Sequence, residues 1–227
     1  MRSFRALALA AALACAAPSA LAQAPSPLAT SPIAPPPVAL PQPEGTSQVA
    51  ADHPAGAYTL DPAHASVIWR VRHNSVGLFT ARFDRIAGAL TFDPQNPTAS
   101  TITASVDAAS VSTGVRNAAG ALAFDGEVAR ALGAETTPQI TFTSRRAERL
   151  DAAAGLIEGD LTLNGVTRPV TLQVTFHGGR FVQIRQKHVL GFAARGVIRR
   201  SDFGVTRWAP FVGDEVEILI DAEFIKA

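Results

Sequence analysis

Cysteine is almost missing from this chain of 227 residues: the only one is Cys15. The chain therefore has no disulfide staple, no C-x-x-C pair and no thiolate metal site, and its stability must come from a buried core. Catalytic signatures are equally scarce. No G-x-S-x-G elbow, H-E-x-x-H pair or G-x-G-x-x-G loop occurs, so no catalytic residue can be named. The five histidines, at 53, 64, 73, 177 and 188, never recur at i, i+2 or i, i+4, so no local metal site is expected. No run of about 20 apolar residues is present to span a bilayer as a helix. Charge carries no bias: 20 Lys and Arg stand against 19 Asp and Glu. Nothing global draws such a chain to nucleic acid or to an anionic surface.

What is there divides into three segments. Residues 1–22 carry Arg2 and Arg5, an apolar run, and Ala20-Leu21-Ala22. This is the n-region, h-region and A-x-A site of a secretory signal peptide, with cleavage expected before Gln23. Cleavage takes the 20 basic residues to 18 against 19 acidic ones. It also leaves no stable membrane insertion. The alternative is lipid attachment at Cys15, against which Ala12 stands where a lipobox prefers Leu. Residues 23–56 hold nine of the 16 prolines, Pro35-Pro36-Pro37 among them. Proline has no amide donor and a fixed φ, so this reads as a disordered Pro/Ala-rich linker that packs on nothing. Residues 57–227 form the folded domain.

That domain alternates with period two. Val67, Trp69, Val71 and His73 share a face, opposite Arg70 and Arg72. Ile102, Ala104 and Val106 alternate with threonine and serine, and Ile140 and Phe142 with Thr141 and Thr143. Phe192, Ala194, Gly196 and Ile198 oppose Arg195 and Arg199; Val216, Ile218, Ile220, Ala222 and Phe224 oppose acids. With 78–83 and 87–92, eight to ten strands are expected, each wet on one face and buried on the other. A helix is expected near 116–132, weakened by Gly120 and Gly126. Many antiparallel strands close either as a sandwich or as a barrel, and periodicity does not choose between them.

The most telling stretch is GLIEGDLTLNGVTRPVTLQVTFH, residues 155–177. Leu161 and Leu163 lead into Asn164-Gly165, then Val170, Leu172, Val174 and Phe176 follow. Asn-Gly between alternating runs is a hairpin signal, because a type I′ turn needs positive φ at both central residues. The segment LTLNGVTRPVTLQV resembles the signature hairpin of the YceI-like family of bacterial lipid- and polyisoprenoid-binding proteins. YTLDPAHASVIWRVRH (58–73), GLFTARFDRIAGALTFDP (77–94), TPQITFTS (137–144), GFAARGVIRRSDFGV (191–205) and VGDEVEILIDAEF (212–224) agree in order. The connection at 115–135 departs from the pattern: Asn117 replaces the family's acid, and only Phe124-Asp125 is similar to its aromatic run.

The resemblance implies an all-β, antiparallel, lipocalin-like barrel of about eight strands with one short helix in a connection. It implies a periplasmic protein that sequesters an isoprenoid lipid, a polyprenyl chain or isoprenoid quinone, without catalysis or further cofactor. A lumen lined by Trp69, Val71, His73, Phe79, Ile102, Phe142, Leu172, Val174, Phe192 and Ile218 would suit it. A chain of about forty carbons, at about −0.3 kcal/mol per heavy atom, gains on the order of −12 kcal/mol, or roughly nanomolar affinity. Its volume of about 1,000 Å³ lies at the upper end of ligand pockets. His73 is either a polar handle for a head group or a core histidine bonded to backbone. His64, Arg200 and Arg207 are the other head-group candidates, the arginines flanking an expected turn at the rim. Two other readings stand: an enzyme acting on a lipid or quinone head group with His73 as acid/base, and a filled barrel serving as a stress-linked interaction module. A homodimer stays open.

Overall fold

The computed structural model describes residues 45–227. The signal peptide expected at 1–22, the Cys15 alternative and most of the expected linker lie outside the described residues. Ten strands and one α-helix follow in order. They are β1 (Gly56–His73), β2 (Gly77–Phe83), β3 (Ile86–Phe92), β4 (Thr101–Asp107), β5 (Val111–Ser112), α1 (Asp125–Ala131) and β6 (Gln139–Arg149). β7 (Ala154–Leu163), β8 (Val166–Val182), β9 (Lys187–Arg199) and β10 (Val212–Lys226) complete the set. No helix among the described residues is long and apolar enough to cross a membrane.

Eight of the strands pair antiparallel, each with the next around a ring, and β1 meets β10 to close it. The result is an eight-stranded barrel made of β1, β3, β4, β6, β7, β8, β9 and β10. The 18 residues of β1 make closure work. Gly56–Thr59 pair with β3, while Val67–His73 pair with β2. Its other edge runs against β10 from Tyr58↔Lys226 to His73↔Val212. β7 and β8 turn through Asn164 (φ 51°) and Gly165 (φ 75°), the left-handed pair expected of a type I′ turn. Their register places Leu161, Leu163, Val170 and Leu172 in one buried cluster with Phe203 and Val205.

Above β3 the ring is incomplete, because β2 pairs on its far side only with the two residues of β5. The short helix covers this gap. Val128 and Ala129 of α1 pack with Ala81, Phe83 and Val111. The helix is shorter than the 116–132 expected. Residues before Phe124 turn instead, because Gly120 sits at φ 78° and the Asn117 side chain accepts the amides of Ala119 and Ala121. Those local bonds satisfy donors that a helix would otherwise bond internally.

The expected linker needs correction at its end. Residues 45–56 dock on the barrel. Ser47 N–H donates to Gly179 O at 3.0 Å, and Gly179 N–H returns a bond to Ser47 O at 2.8 Å. A one-turn helix at Ala50–Asp52 follows. His53 is buried, only 5% exposed, its Nε2 on Ser47 O and its ring edge-on to Phe176 at 5.7 Å. The Tyr58 hydroxyl donates to Pro54 O at 2.6 Å, and burial pushes that phenol up to about 12, so it stays a donor. Gly178, at φ 117°, lets the strap approach: a Cβ there would lie 2.6 Å from Ser47 O. Two backbone bonds, a one-turn helix and one buried imidazole suffice to dock the end of a proline-rich segment. A chain beginning at Gly56 is expected to melt about 4–8 °C below one beginning at Gly45, for a loss of about 2 kcal/mol. Equal midpoints in differential scanning calorimetry would show that the strap contributes nothing.

Candidate functional site

The inward faces enclose a cavity of about 970 Å³. It overturns the filled-barrel alternative. All ten lumen positions expected from strand parity line it: Trp69, Val71, His73, Phe79, Ile102, Phe142, Leu172, Val174, Phe192 and Ile218. Parity works because strand side chains point alternately to the two faces. Space in the lumen also depends on small residues. Gly196 faces Leu172, whose Cδ2 would lie 2.6 Å from an added Cβ. Only His73, Glu148, Arg149, Asp151 and Arg200 are titratable among the lining side chains, and all sit towards the ends of strands or just beyond them. The middle is mostly apolar and holds no titratable side chain.

Trp69 stands beside Phe79 with ring centroids 5.9 Å apart; Phe79 meets Phe124 at 6.0 Å, and Phe124 in turn meets Trp208 at 5.3 Å. The Trp69 indole N–H is buried without a hydrogen-bond partner. Phe124 and Trp208 come from irregular connections, so no periodicity marked them as lumen residues. The same holds for Asn74, Val115 and Phe211, which line the mouth.

At this mouth His73 is exposed, the last residue of β1, paired with Gly77 and Val212. No side-chain hydrogen bond orients its ring among the described residues. The structure thus places it at the opening, as parity requires, and not as a core histidine. Arg200 corrects the expectation of a free rim cation. It is buried, and its guanidinium donates to four carbonyls: Gly213 at 2.7 Å, Val205 and Val212 at 2.8 Å, and Arg207 at 2.9 Å. Its fork therefore holds the 204–213 connection that forms one side of the mouth. Arg207 does not line the cavity. It bonds Glu127 at 3.2 Å and lies over the Trp208 ring at 4.9 Å, tying that connection to α1.

His64 also stands elsewhere. Between Leu60↔Phe224 and Ala65↔Ala222, β1 bulges by the residues Asp61–His64. There His64 Nδ1 lies 2.8 Å from Asp61 Oδ2, and the ring lines no part of the cavity. Arg185, from the β8–β9 turn, donates to the same Asp61 oxygen at 2.6 Å. Asp61, His64 and Glu223 bring donor atoms within 4.8 Å of one another. A metal is not favoured, because the guanidinium already supplies positive charge to that oxygen. Burial alone would raise the Asp61 carboxyl. The hydrogen bonds from His64, Arg185 and Ala63, with the Arg185 charge, outweigh it and hold it below the usual carboxylate range. Sequence reading missed this cluster because Arg185 lies 124 residues away from Asp61.

Residues 58–224 match the YceI-like domain. "Protein YceI" of Salmonella newport is 33% identical over 178 residues, covering 76% of this chain and 88% of that one. Among solved structures, Burkholderia cenocepacia BcnA superposes with a TM-score of 0.62 at 24% identity, over 72% of this chain and 98% of that one. The Campylobacter jejuni YceI protein gives 0.57 at 24% identity, over 69% and 90%. A polyisoprenoid binding domain from Saccharophagus degradans, implicated in plant cell wall breakdown, gives 0.52 at 16%, over 75% and 98%. These structural likenesses establish the fold.

Arg200→Lys keeps the charge but loses the planar fork, stranding at least two carbonyls. A loss of about 2–4 kcal/mol is expected in urea unfolding; an unchanged midpoint would show that the clamp is dispensable. For Asp61 the folded carboxyl titrates below the ordinary 3.8. Its stabilisation is therefore complete above about pH 5 and lost as pH falls through 3.8 towards the lowered value. Asp61→Asn should melt lower than wild type at pH 7, with the gap closing below about pH 4. A gap that is constant from pH 7 to pH 3 would contradict this account.

Proposed function

The chain belongs to the YceI-like family, and on that premise we propose that it is an exported, periplasmic, non-catalytic carrier that sequesters an isoprenoid amphiphile in its lumen. One observation carries the reading: an apolar cavity of about 970 Å³ inside a closed eight-stranded barrel. That volume is close to the roughly 1,000 Å³ at the upper end of ligand pockets, about what a chain of forty carbons needs. An apolar chain gains from every wall it meets, and this lumen is ringed by the inward faces of eight strands. The polar head lies at the mouth, where His73 and Asn74 line the cavity without being engaged as Arg200 is.

Native mass spectrometry of protein gently isolated from a periplasmic fraction tests the reading in one step. The intact mass reports where the exported chain begins, Gln23 being expected. An adduct reports the lipid, and its chemical change on incubation would favour the enzyme reading instead. In a Trp208→Phe background, Trp69 fluorescence should quench or shift when an isoprenoid quinone is added. His73→Ala should weaken the full amphiphile by about 1–3 kcal/mol while sparing a tail without a head. Indifference of Trp69 to every isoprenoid, in folded and delipidated protein, would sink the carrier reading.

A further inference from the structure

Half of the exposed large apolar side chains of the described residues lie around one opening of the barrel. Val76 is 87% exposed, Phe211 67%, Leu78 57%, Leu122 51% and Val115 38%. Hydrogen bonds and a ring contact link the turns that carry them. Asn74 and Ser75, both with positive φ, make a tight turn closed by Val76 N–H on His73 O at 3.1 Å, which presents Val76 at its tip. Asn74 N–H then donates to Phe211 O at 2.7 Å, tying this tip to the 206–212 turn. Trp208 of that turn contacts Phe124 across the mouth, joining the connection that carries Val115 and Leu122. Val115 and Phe211 also line the cavity, so the exposed apolar surface runs without a break into the lumen.

Basic side chains outnumber acidic ones at this end, where Asp125 accepts from the Thr113 amide and hydroxyl. Segments 74–78, 113–124 and 206–213 contain Arg116 and Arg207 and no Asp or Glu. Arg72, opposite Leu78, stands beside them. Arg207 engages Glu127. Arg72 and Arg116 have no acidic partner among the described residues. A chain with balanced total charge thus gathers cations and apolar tips at one opening.

We propose that this mouth docks on an anionic lipid bilayer, with Val76, Leu78 and Phe211 in the acyl boundary and Arg72 and Arg116 against lipid phosphates. Apolar tips rimmed by cations are the chemistry of interfacial binding. A second copy of the chain fits less well, because a symmetric contact through this face would bring the unpaired arginines together. Docking also gives the cavity a dry entrance: a tail passes from bilayer to lumen without crossing water. The proposal goes beyond the carrier reading, and the two fail separately, since vesicle binding and lumen occupancy are measured independently.

Co-sedimentation of the purified protein with vesicles tests it, using phosphatidylcholine with and without phosphatidylglycerol. Binding should require phosphatidylglycerol and weaken with salt. The pair Val76→Ser and Phe211→Ser should reduce it at least about tenfold, as should Arg72→Gln with Arg116→Gln. The second pair keeps the test valid where the first fails to fold, with thermal midpoint and Trp69 fluorescence as folding controls. Ile184, 93% exposed in the β8–β9 turn away from this mouth, supplies the contrast: Ile184→Ser should leave binding unchanged. No vesicle binding, equal binding by all variants, or an equal loss in Ile184→Ser overturns the proposal. A wild-type dimer that the apolar pair dissociates, without vesicle binding, overturns it in favour of self-association. Vesicle binding with a ligand-indifferent Trp69 would leave docking standing and remove the carrier reading alone.

Discussion

The hydrogen-bond ladder between β1 and β10 is the contact on which the remaining architecture depends. It joins the first and last strands, from Tyr58↔Lys226 to His73↔Val212. Without it the sheet would carry two long unpaired edges, each a template for aggregation. With it, the alternate apolar side chains of eight strands face one another around a common space. The cavity is therefore a consequence of closure: with about eight strands the ring is wide enough that side chains need not fill it.

Closure costs accuracy at the two ends, where strands differ in length and connections must cross. Each end is held by a buried polar group. Arg200 gathers four carbonyls of the connection leading into β10. Asp61 fastens a bulge in β1 to the β8–β9 turn through Arg185. Both are well satisfied, which is the condition under which a buried charge is tolerated. Their placement divides labour: charge organises the ends, and the middle of the lumen stays free of it.

This division reassigns the polar candidates. Of the four head-group residues expected, His73 stands at the opening, Arg200 is consumed by backbone, Arg207 holds α1 and His64 serves the bulge. The lumen was legible because period two survives any detail of closure: Phe142, Leu172 and Ile218 face inward in a barrel or a sandwich alike. The mouth was legible only in part. Trp208, beside Phe211, stood out as a rim candidate, but Asn74 and Phe124 lie in connections without periodicity, and nothing local in residues 185 and 61 announces that they meet.

From its amino acids alone this chain determined the strand faces, the Asn164-Gly165 turn and the apolar character of what the strands enclose, since each depends on neighbours within a few residues. Resemblance to a family supplied the barrel. Tertiary structure alone decided the cavity volume, the docking of residues 45–56, the role of Arg200 and the gathering of apolar tips and arginines at one opening. Apart from the Arg200 clamp, whose partners lie 5 to 13 residues on, those properties arise from groups tens of residues or more apart in the chain, and local pattern holds no record of which distant groups closure will bring together.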